Sequence, residues 1–259
     1  MSAELSRLSE AAQPTEFHRM LHTLDFGQQL LRVYTQNIDV LEEKVGLTYG
    51  IPDLHVVSRT PRSRTPSLGD TLPRCIPLHG TIKSLRCQRC AHTVPLPDHM
   101  ETLVAGLPPT CPLCIRTEAE RRSAGKRART VGWMRPTIVL YNEDHTDGET
   151  ISRLVQADLT GRRMGYRSPP IDLLLVAGTS LRVSGAKGIV RTFAHALHAR
   201  ASLSSGQDTI QTIYLNTEFC GSSKDWEGVF DVWIQGDAQV LATMVHAERD
   251  RMKNTPIHD

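Results

Sequence analysis

The chain has 259 residues, of which 39% are hydrophobic and 22% are charged, and its formal net charge is +2. These values are typical of a globular protein large enough to bury a core, and the charge is too small to favour nucleic acid or an anionic membrane as a general partner. The longest apolar run, residues 171–177, has the length of a strand and not of a membrane span, and the first residues lack the pattern of a secretion signal. We therefore expect a reducing compartment, where cysteines serve as ligands, reactive thiols or core residues before they form disulfides.

The first part of the chain predicts one helix, one strand and one loop. Apolar residues at helical spacing predict a helix over residues 15–24, with Thr15 at its capping position. Residues 30–34 predict a short buried strand that ends in the polar turn Gln36–Asp39. Residues 58–74 are rich in serine, threonine, proline and arginine, which is typical of a mobile loop.

The second part predicts strands that alternate with a helix. Apolar runs at 137–141 and 171–177 are typical of strands covered on both faces, and two further strands are predicted at 209–215 and 229–234. Between them, residues 188–200 place four apolar side chains on one helical face: Ile189, Val190, Phe193 and Leu197. Such alternation predicts an α/β protein with a parallel sheet and crossover helices.

Four cysteines have the spacing of a zinc site. Cys87 and Cys90 form one C-x-x-C pair, and Cys111 and Cys114 form a second pair twenty residues further on. A two-residue spacer lets both thiolates of a pair reach one tetrahedral ion, and four sulfurs leave no open position, so the predicted zinc is structural. Disulfides are disfavoured by the compartment, and a redox motif would explain only one pair. The two remaining cysteines, Cys75 and Cys220, are predicted to be packed thiols.

Three polar segments lie where a loop meets a predicted element. They are Gln36–Asp39, Leu78–Gly80 and Ala177–Leu181. Each has an ordinary structural explanation when it is taken alone: a turn, a structural histidine, or a helix cap. The third segment could equally offer backbone N–H groups and hydroxyls to a phosphate.

Taken together and in this order, the motifs resemble the sirtuin family of NAD-dependent protein-lysine deacylases. The series runs from Gln-Asn-Ile-Asp through His-Gly and the two cysteine pairs to Arg-Pro-x-Ile-Val-x-Tyr-x-Glu at 135–143, Gly-Thr-Ser-Leu at 178–181, Tyr-Leu-Asn at 214–216 and Gly-Asp at 236–237. Residues 125–136 and 178–191 are most similar to the fungal branch that deacetylates core histones. The resemblance implies a Rossmann-like parallel sheet with helices on both faces, formed by residues 1–80 and 125–259, and a small inserted zinc-binding lobe at 81–124.

The resemblance also implies site residues. His79 would be the general base, accepting a proton from a ribose hydroxyl of NAD, and Asn37 would act beside it. The other expected NAD contacts are Gln36, Asp39, Gly178, Thr179, Ser180, Asn216, Asp237 and Ala238. The implied cofactors are NAD and a structural Zn²⁺, and the implied partner is an acetylated histone or another acetyl-lysine protein, held as an added strand near residues 139–143 and the loop after Leu181. A nuclear location follows from the same resemblance, and no membrane partner is expected.

The chain departs from the family pattern at its beginning. Sirtuins open with a strand and a glycine-rich turn that holds the NAD pyrophosphate, and this sequence begins downstream of both. We therefore expect weak NAD binding and little or no deacetylation by the isolated chain. Two alternatives stay open: a non-catalytic remnant that binds chromatin or other proteins, and a zinc-ribbon nucleic-acid module that uses the basic residues 121–129, which is disfavoured because no aromatic residues are interleaved there.

Overall fold

The computed structural model describes residues 1–52, 72–140, 143–163, 166–167, 171–201 and 209–254. Most of the predicted loop at 58–74 lies outside these residues. The helices are α1 (Ser2–Ala11), α2 (Glu16–Phe26), α3 (Leu41–Lys44), α4 (Met100–Val104), α5 (Pro112–Ser123), α6 (Gly148–Thr160), α7 (Ser184–Ala201) and α8 (Ala238–Asn254), with 3₁₀ turns at Pro97–His99 and Ser223–Trp226. The strands are β1 (Val33–Thr35), β2 (Cys75–Pro77), β3 (Gly80–Cys87), β4 (Thr93–Pro95), β5 (Met134–Ile138), β6 (Arg162–Arg163), β7 (Tyr166–Arg167), β8 (Leu174–Ala177), β9 (Thr212–Asn216) and β10 (Val232–Gln235).

Residues that contact one another group into two compact units. The first unit comprises residues 1–13, 34–50 and 75–146, and the second comprises 14–33, 51–74 and 147–259. These units are groupings by contact, so the predicted division into 1–80 with 125–259 and 81–124 stays a prediction. Among the described helices, none is both long and apolar enough to cross a membrane.

The first unit is built on an antiparallel sheet. The strand order is β4-β3-β5, and the end of β3 lies beside the start of β5, with Cys87 opposite Met134. A core of buried side chains lies on this sheet and includes Ile82, Leu85, Leu96 and Met134. The prediction of a strand covered on both faces at 137–141 was wrong, because β5 ends at Ile138, pairs antiparallel with β3 and is mostly half-buried. An apolar run does not reveal the direction of its partner strand.

The second unit contains the predicted parallel sheet. The strand order is β10-β9-β8, and both pairs are parallel. Helix α7 buries Val190, Phe193 and Leu197 as the periodicity predicted. Strand β8 is half-buried except at Val176, so it is less covered than an apolar run of this kind indicates.

Two local features fix the helices of this unit. Helix α2 begins at the predicted cap: His18 Nδ1 and the Thr15 side chain and backbone form a capping box. The Arg32 guanidinium makes two 2.8 Å hydrogen bonds to the Asp158 carboxylate of α6, and both side chains are almost fully buried. Because an unpaired buried charge is costly, the loss of either partner would be strongly destabilising.

Candidate functional site

The four predicted zinc ligands meet in the first unit. Their sulfurs all lie within 4.8 Å of one another, with Cys87 Sγ 3.8 Å from Cys114 Sγ and Cys90 Sγ 3.6 Å from Cys111 Sγ. Sulfurs about 2.3 Å from a tetrahedral zinc lie about 3.8 Å apart, so the cluster has the dimensions of a tetrathiolate zinc site. The chemistry of the donors and their spacing both fit a structural Zn²⁺.

Backbone amides prepare these sulfurs to bind a cation. Desolvation raises the pKa of the Cys87 thiol, but N–H groups of Cys90 and Arg89 point at its sulfur and bring the pKa down to about 7. At Cys111, desolvation raises the pKa to about 12, although Cys114 N–H also points at that sulfur. Cys87 therefore offers a thiolate near neutral pH, and a cation would have to displace the proton at Cys111.

A glycine that the sequence analysis missed makes room for the sulfurs. A Cβ atom on Gly132 would lie 2.4 Å from Cys87 Sγ and 2.9 Å from the Cβ of Arg89. The Gly132 carbonyl also accepts a hydrogen bond from the Cys111 N–H. Gly132 lies well outside both cysteine pairs in the sequence, so only the pairing of β3 with β5 reveals its role.

In the first unit the predicted base lies against the predicted amide-carboxylate turn. His79 Nδ1 is 3.0 Å from the carbonyl oxygen of Gln36. A carbonyl can only accept, so Nδ1 carries the proton and donates it, and the lone pair of the neutral ring is on Nε2. The structure thus holds His79 in the tautomer in which Nε2 can accept a proton.

The glycine after this histidine is required by a close backbone approach. Gly80 has φ +74°, and a Cβ atom there would lie 1.8 Å from the Thr137 carbonyl oxygen. No side chain fits that space, so only glycine can follow His79 at the start of strand β3.

The turn from Gln36 to Asp39 is held by hydrogen bonds at each residue. Asn37 N–H donates to Thr35 Oγ1 at 3.1 Å, the Ile38 carbonyl accepts from Ile82 N–H, and Asp39 Oδ1 accepts from Leu41 N–H at 3.3 Å. The side chain of Asn37 is exposed, whereas that of Asp39 is half-buried. The amide of Asn37 is therefore open to a ligand, and one oxygen of Asp39 is already used to start α3.

The residue after this turn has a strained backbone. Val40 is buried and has φ +63°, in the left-handed region that β-branched residues rarely adopt. In the second unit, Leu181 shows the same combination, with 1% exposure and φ +49° directly after Gly178–Ser180. Strain of this kind clusters at ligand-binding sites, and here it follows both predicted ligand loops.

The segment from Arg135 to Glu143 is closed by an ion pair. Arg135 donates to both carboxylate oxygens of Glu143 at 2.7 and 2.6 Å, and Glu143 also accepts from Leu140 N–H at 3.1 Å. The hydrogen bonds from Arg135 and from the Leu140 N–H lower the pKa of Glu143 to about 2. The Val139 N–H between these anchors donates to the backbone carbonyl of His79 at 3.0 Å, so the segment is tied to the candidate base.

In the second unit the remaining predicted residues lie at the carboxyl ends of the parallel strands. Gly178 follows β8, Asn216 ends β9 and Asp237 follows β10. Gly178 N–H donates to the Leu215 carbonyl, and Gly236 N–H donates to the Asn216 carbonyl. This edge of an open parallel sheet is where such folds bind ligands.

The candidate residues at this sheet edge differ in how many of their polar groups already have partners within the protein. Gly178 and Ser180 are exposed. Asp237 Oδ1 accepts from Gln239 N–H at 2.8 Å and caps α8, which begins at Ala238. The structure thus brings Gly178–Ser180, Asn216, Asp237 and Ala238 to one sheet edge in the second unit. It brings His79 and Gln36–Asp39 together in the first unit.

A four-cysteine cluster, a histidine held in one tautomer and a parallel sheet with polar loops at its carboxyl edge are typical of an α/β protein of the nucleotide-binding class. The chain belongs to the Sir2 family, whose model matches residues 2–60 and 69–185. This confirms the predicted family and, at the level of the family, NAD as the cofactor.

Curated relatives in three fungi are similar over nearly the whole chain. The NAD-dependent protein deacetylase hst4 of Schizosaccharomyces pombe is 36% identical over 93% of this chain and 50% of its own length. The NAD-dependent histone deacetylase HST4 of Saccharomyces cerevisiae is 33% identical over 95% and 60%, and hst4 of Emericella nidulans is 33% identical over 100% and 38%. The chain thus spans about half the length of these relatives.

Solved structures confirm the fold. A Sir2 complex with a p53 peptide and NAD⁺ superposes with a TM-score of 0.61 at 18% identity, covering 96% of this chain and 73% of that one. Sir2Af2 bound to a myristoylated histone peptide gives 0.57 at 21% identity, covering 93% and 74%.

Proposed function

We propose that this chain carries the catalytic residues of an NAD-dependent protein-lysine deacetylase that acts on acetylated histones in the nucleus. The observation that carries the proposal is His79, whose Nδ1–H is committed to the Gln36 carbonyl beside the Asn37–Asp39 turn. The curated relatives named as histone or protein deacetylases support the substrate class. A histone substrate in turn supports chromatin and the nucleus as the place of action.

The candidate NAD-binding residues of the two units are proposed to contact different parts of the cofactor. In the first unit, Asn37 and Asp39 line the pocket for the nicotinamide half and Gln36 meets the adjoining ribose. In the second unit, the loop Gly178–Ser180 meets the phosphates and adenine ribose, Asn216 meets the adenosine ribose, and Asp237 with Ala238 lie by the adenine. Gly178 and Ser180 of this loop are exposed, and a serine hydroxyl can donate a hydrogen bond to a phosphate.

His79 supplies the acid–base chemistry. NAD, when bound, provides an anomeric carbon from which nicotinamide leaves as the acetyl oxygen attaches. His79 Nε2 then accepts a proton from a ribose hydroxyl, because the hydrogen bond to Gln36 keeps the lone pair on that nitrogen. An imidazole suits this step, since its ordinary pKa lies near neutral pH.

In the first unit, residues 139–143 are proposed to contact the substrate peptide. The ion pair with Arg135 holds Glu143 at the end of this segment, and exposed Leu140 offers an apolar contact within it. Addition of an extended peptide to such a segment is a common mode of recognition. The zinc lobe keeps strands β3 and β5 in place at the other end of the same sheet.

An NAD-dependent deacetylation assay on an acetylated histone peptide tests the proposal. We expect slow but measurable release of acetyl groups by the whole chain, dependent on NAD, and a loss of at least about a hundredfold in His79→Ala, because general base catalysis contributes factors of this size. His22→Ala is the matched control, since His22 is exposed on α2 and lies in the other unit. Turnover that is equal in the wild-type chain and His79→Ala would contradict the proposed role of His79.

A further inference from the structure

We propose that the hydroxyl of Tyr214 is a positioning group. It orients the Asn216 amide so that Oδ1 can accept a hydrogen bond from a ribose hydroxyl. The inference rests on the proposed function, since it concerns how the second unit recognises the adenosine half of NAD. Tyr214 does not meet the ligand in this proposal. It acts through Asn216 and the Thr179 carbonyl, and all three residues belong to one unit.

The ring of Tyr214 is locked in the core of this unit. It is fully buried on β9, packs edge-on against Phe219 with centroids 5.6 Å apart, and stacks on Phe230 at 5.1 Å. A ring held on two sides cannot swing, so its hydroxyl occupies a fixed point near the carboxyl edge of the sheet. Desolvation raises the pKa of Tyr214, so the phenol stays protonated and can donate.

The hydroxyl joins the two predicted ligand elements. It donates to the Thr179 carbonyl at 2.7 Å, and it accepts a hydrogen bond from Asn216 Nδ2 at 2.8 Å. A second acceptor, the Glu218 carbonyl, is further away at 3.4 Å. One hydroxyl thus links the loop after β8 to the end of β9.

These contacts decide which way the Asn216 amide points. Nδ2 also donates to the Thr179 carbonyl at 3.3 Å, and Oδ1 accepts from Thr217 N–H at 3.0 Å. The reversed amide would set its oxygen against the Thr179 carbonyl and its N–H groups against the Thr217 N–H, so only one orientation satisfies every group.

The consequence is a specific hydrogen-bonding demand at this edge. Both N–H groups of the Asn216 amide are used inside the protein, and Oδ1 keeps one free lone pair. A ligand must therefore bring a donor. The 2′- and 3′-hydroxyls of a ribose can each donate, whereas a 2′,3′-dideoxyribose has no hydroxyl at either position. A site built to pair with a hydroxyl discriminates strongly against the analogue that lacks it.

The test compares ADP with 2′,3′-dideoxy-ADP by calorimetric titration of the whole chain. We expect the wild-type chain to bind ADP about tenfold more tightly than the dideoxy analogue, and Tyr214→Phe to reduce this preference to about twofold or less. Asn216→Ala should abolish the preference, and Tyr49→Phe, a tyrosine of the other unit, should leave it unchanged. A purely structural role of Tyr214 would weaken both ligands equally, so the ratio of the two dissociation constants separates the two roles.

The outcomes separate this inference from the proposed function. If Tyr214→Phe keeps the full wild-type preference, or if the wild-type chain binds both nucleotides equally, the positioning role is wrong while NAD binding stands. If the wild-type chain binds neither nucleotide, the NAD half of the proposed function is wrong and this inference with it.

A second measurement does not depend on the folding of a variant. In the wild-type chain, the side-chain amide protons of Asn216 should exchange with solvent at least about tenfold more slowly than those of exposed Asn37, because both Asn216 protons are internally bonded. Equal exchange rates in the nuclear magnetic resonance spectrum would show that the Asn216 amide is not held, and would overturn the inference.

Discussion

One backbone carbonyl, that of Gln36, determines which nitrogen of His79 carries the lone pair. The same turn presents Asn37 to solvent and uses one oxygen of Asp39 to start a helix. Backbone atoms thus determine which side-chain atoms are available for chemistry, and the sequence alone does not predict this. Two glycines are also required by single atoms, since Gly80 and Gly132 each occupy a place where no Cβ fits.

The Gly132→Ala substitution should weaken the zinc site. An added Cβ would overlap Cys87 Sγ and the Cβ of Arg89. The Cys87–Cys90 segment must therefore move away from the other sulfurs. We expect zinc affinity to fall at least about tenfold, as seen when groups that support metal ligands are changed. Competition with a zinc-binding dye measures the affinity.

Gly185→Ala is the matched control for this change. Nothing lies within 4 Å of a Cβ at Gly185, which is in helix α7 of the other unit. Its zinc affinity should equal that of the wild-type chain. An unchanged affinity in Gly132→Ala would show that the sulfur cluster has more room than the structure gives it.

At the scale of elements, the ion pair of Arg135 and Glu143 closes the end of strand β5. Both side chains are about one-third exposed, so the pair is a geometric constraint on the segment more than a source of stability. The pair matters because Val139, between its anchors, bonds the carbonyl of His79. The segment proposed to contact the substrate and the candidate base are therefore joined by one hydrogen bond.

The pH dependence of this pair has a definite sign. The folded-state pKa of Glu143 is lowered to about 2, below the value of about 4.3 for an unfolded chain, so the pair contributes above pH 4.3 and is lost as the pH falls toward 2. Titration of the Glu143 carboxyl carbon by nuclear magnetic resonance should give a midpoint near 2. In Arg135→Gln, which removes the charged hydrogen bonds to the carboxylate, the midpoint should rise toward the unfolded value.

At the scale of the whole molecule, zinc should stabilise the first unit selectively. The four cysteines and the β4-β3-β5 sheet all belong to that unit. We expect chelation to expose amides of β3 such as that of Leu85 to solvent exchange, because the binding energy of a structural zinc is folding energy. Amides of β9 in the second unit, including that of Tyr214, should keep their protection in the same experiment. Equal loss of protection in both units would contradict a local role for the metal.

Much of this architecture could be predicted because its signals are local in the sequence. The cysteine spacing, the cap at Thr15 and the helical face of α7 depend on neighbours a few residues apart. The three parallel strands follow from apolar runs, although their bounds shift by a few residues, as at β10, which begins at Val232 and not at 229.

The remaining features depend on contacts between distant residues. An apolar run at 137–141 does not state that its partner β3 is antiparallel. The role of Tyr214 depends on Phe219, Phe230 and Asn216 meeting it, and Tyr-Leu-Asn alone fits any buried strand. Likewise, the pairing of Arg135 with Glu143 does not follow from their separation of 8 residues in the sequence.

Val40 and Leu181 each follow a predicted ligand loop, have a left-handed backbone and bury their side chains. Such a conformation costs a non-glycine residue roughly 1–2 kcal/mol, and burying a valine or leucine side chain contributes roughly 1.5–3 kcal/mol, so each turn keeps its shape only while its side chain stays packed. A modest loosening of the interior would let both turns relax toward ordinary backbone angles. Gentle warming should therefore weaken the binding of the proposed ligand at each loop at temperatures where the helices and strands are still intact.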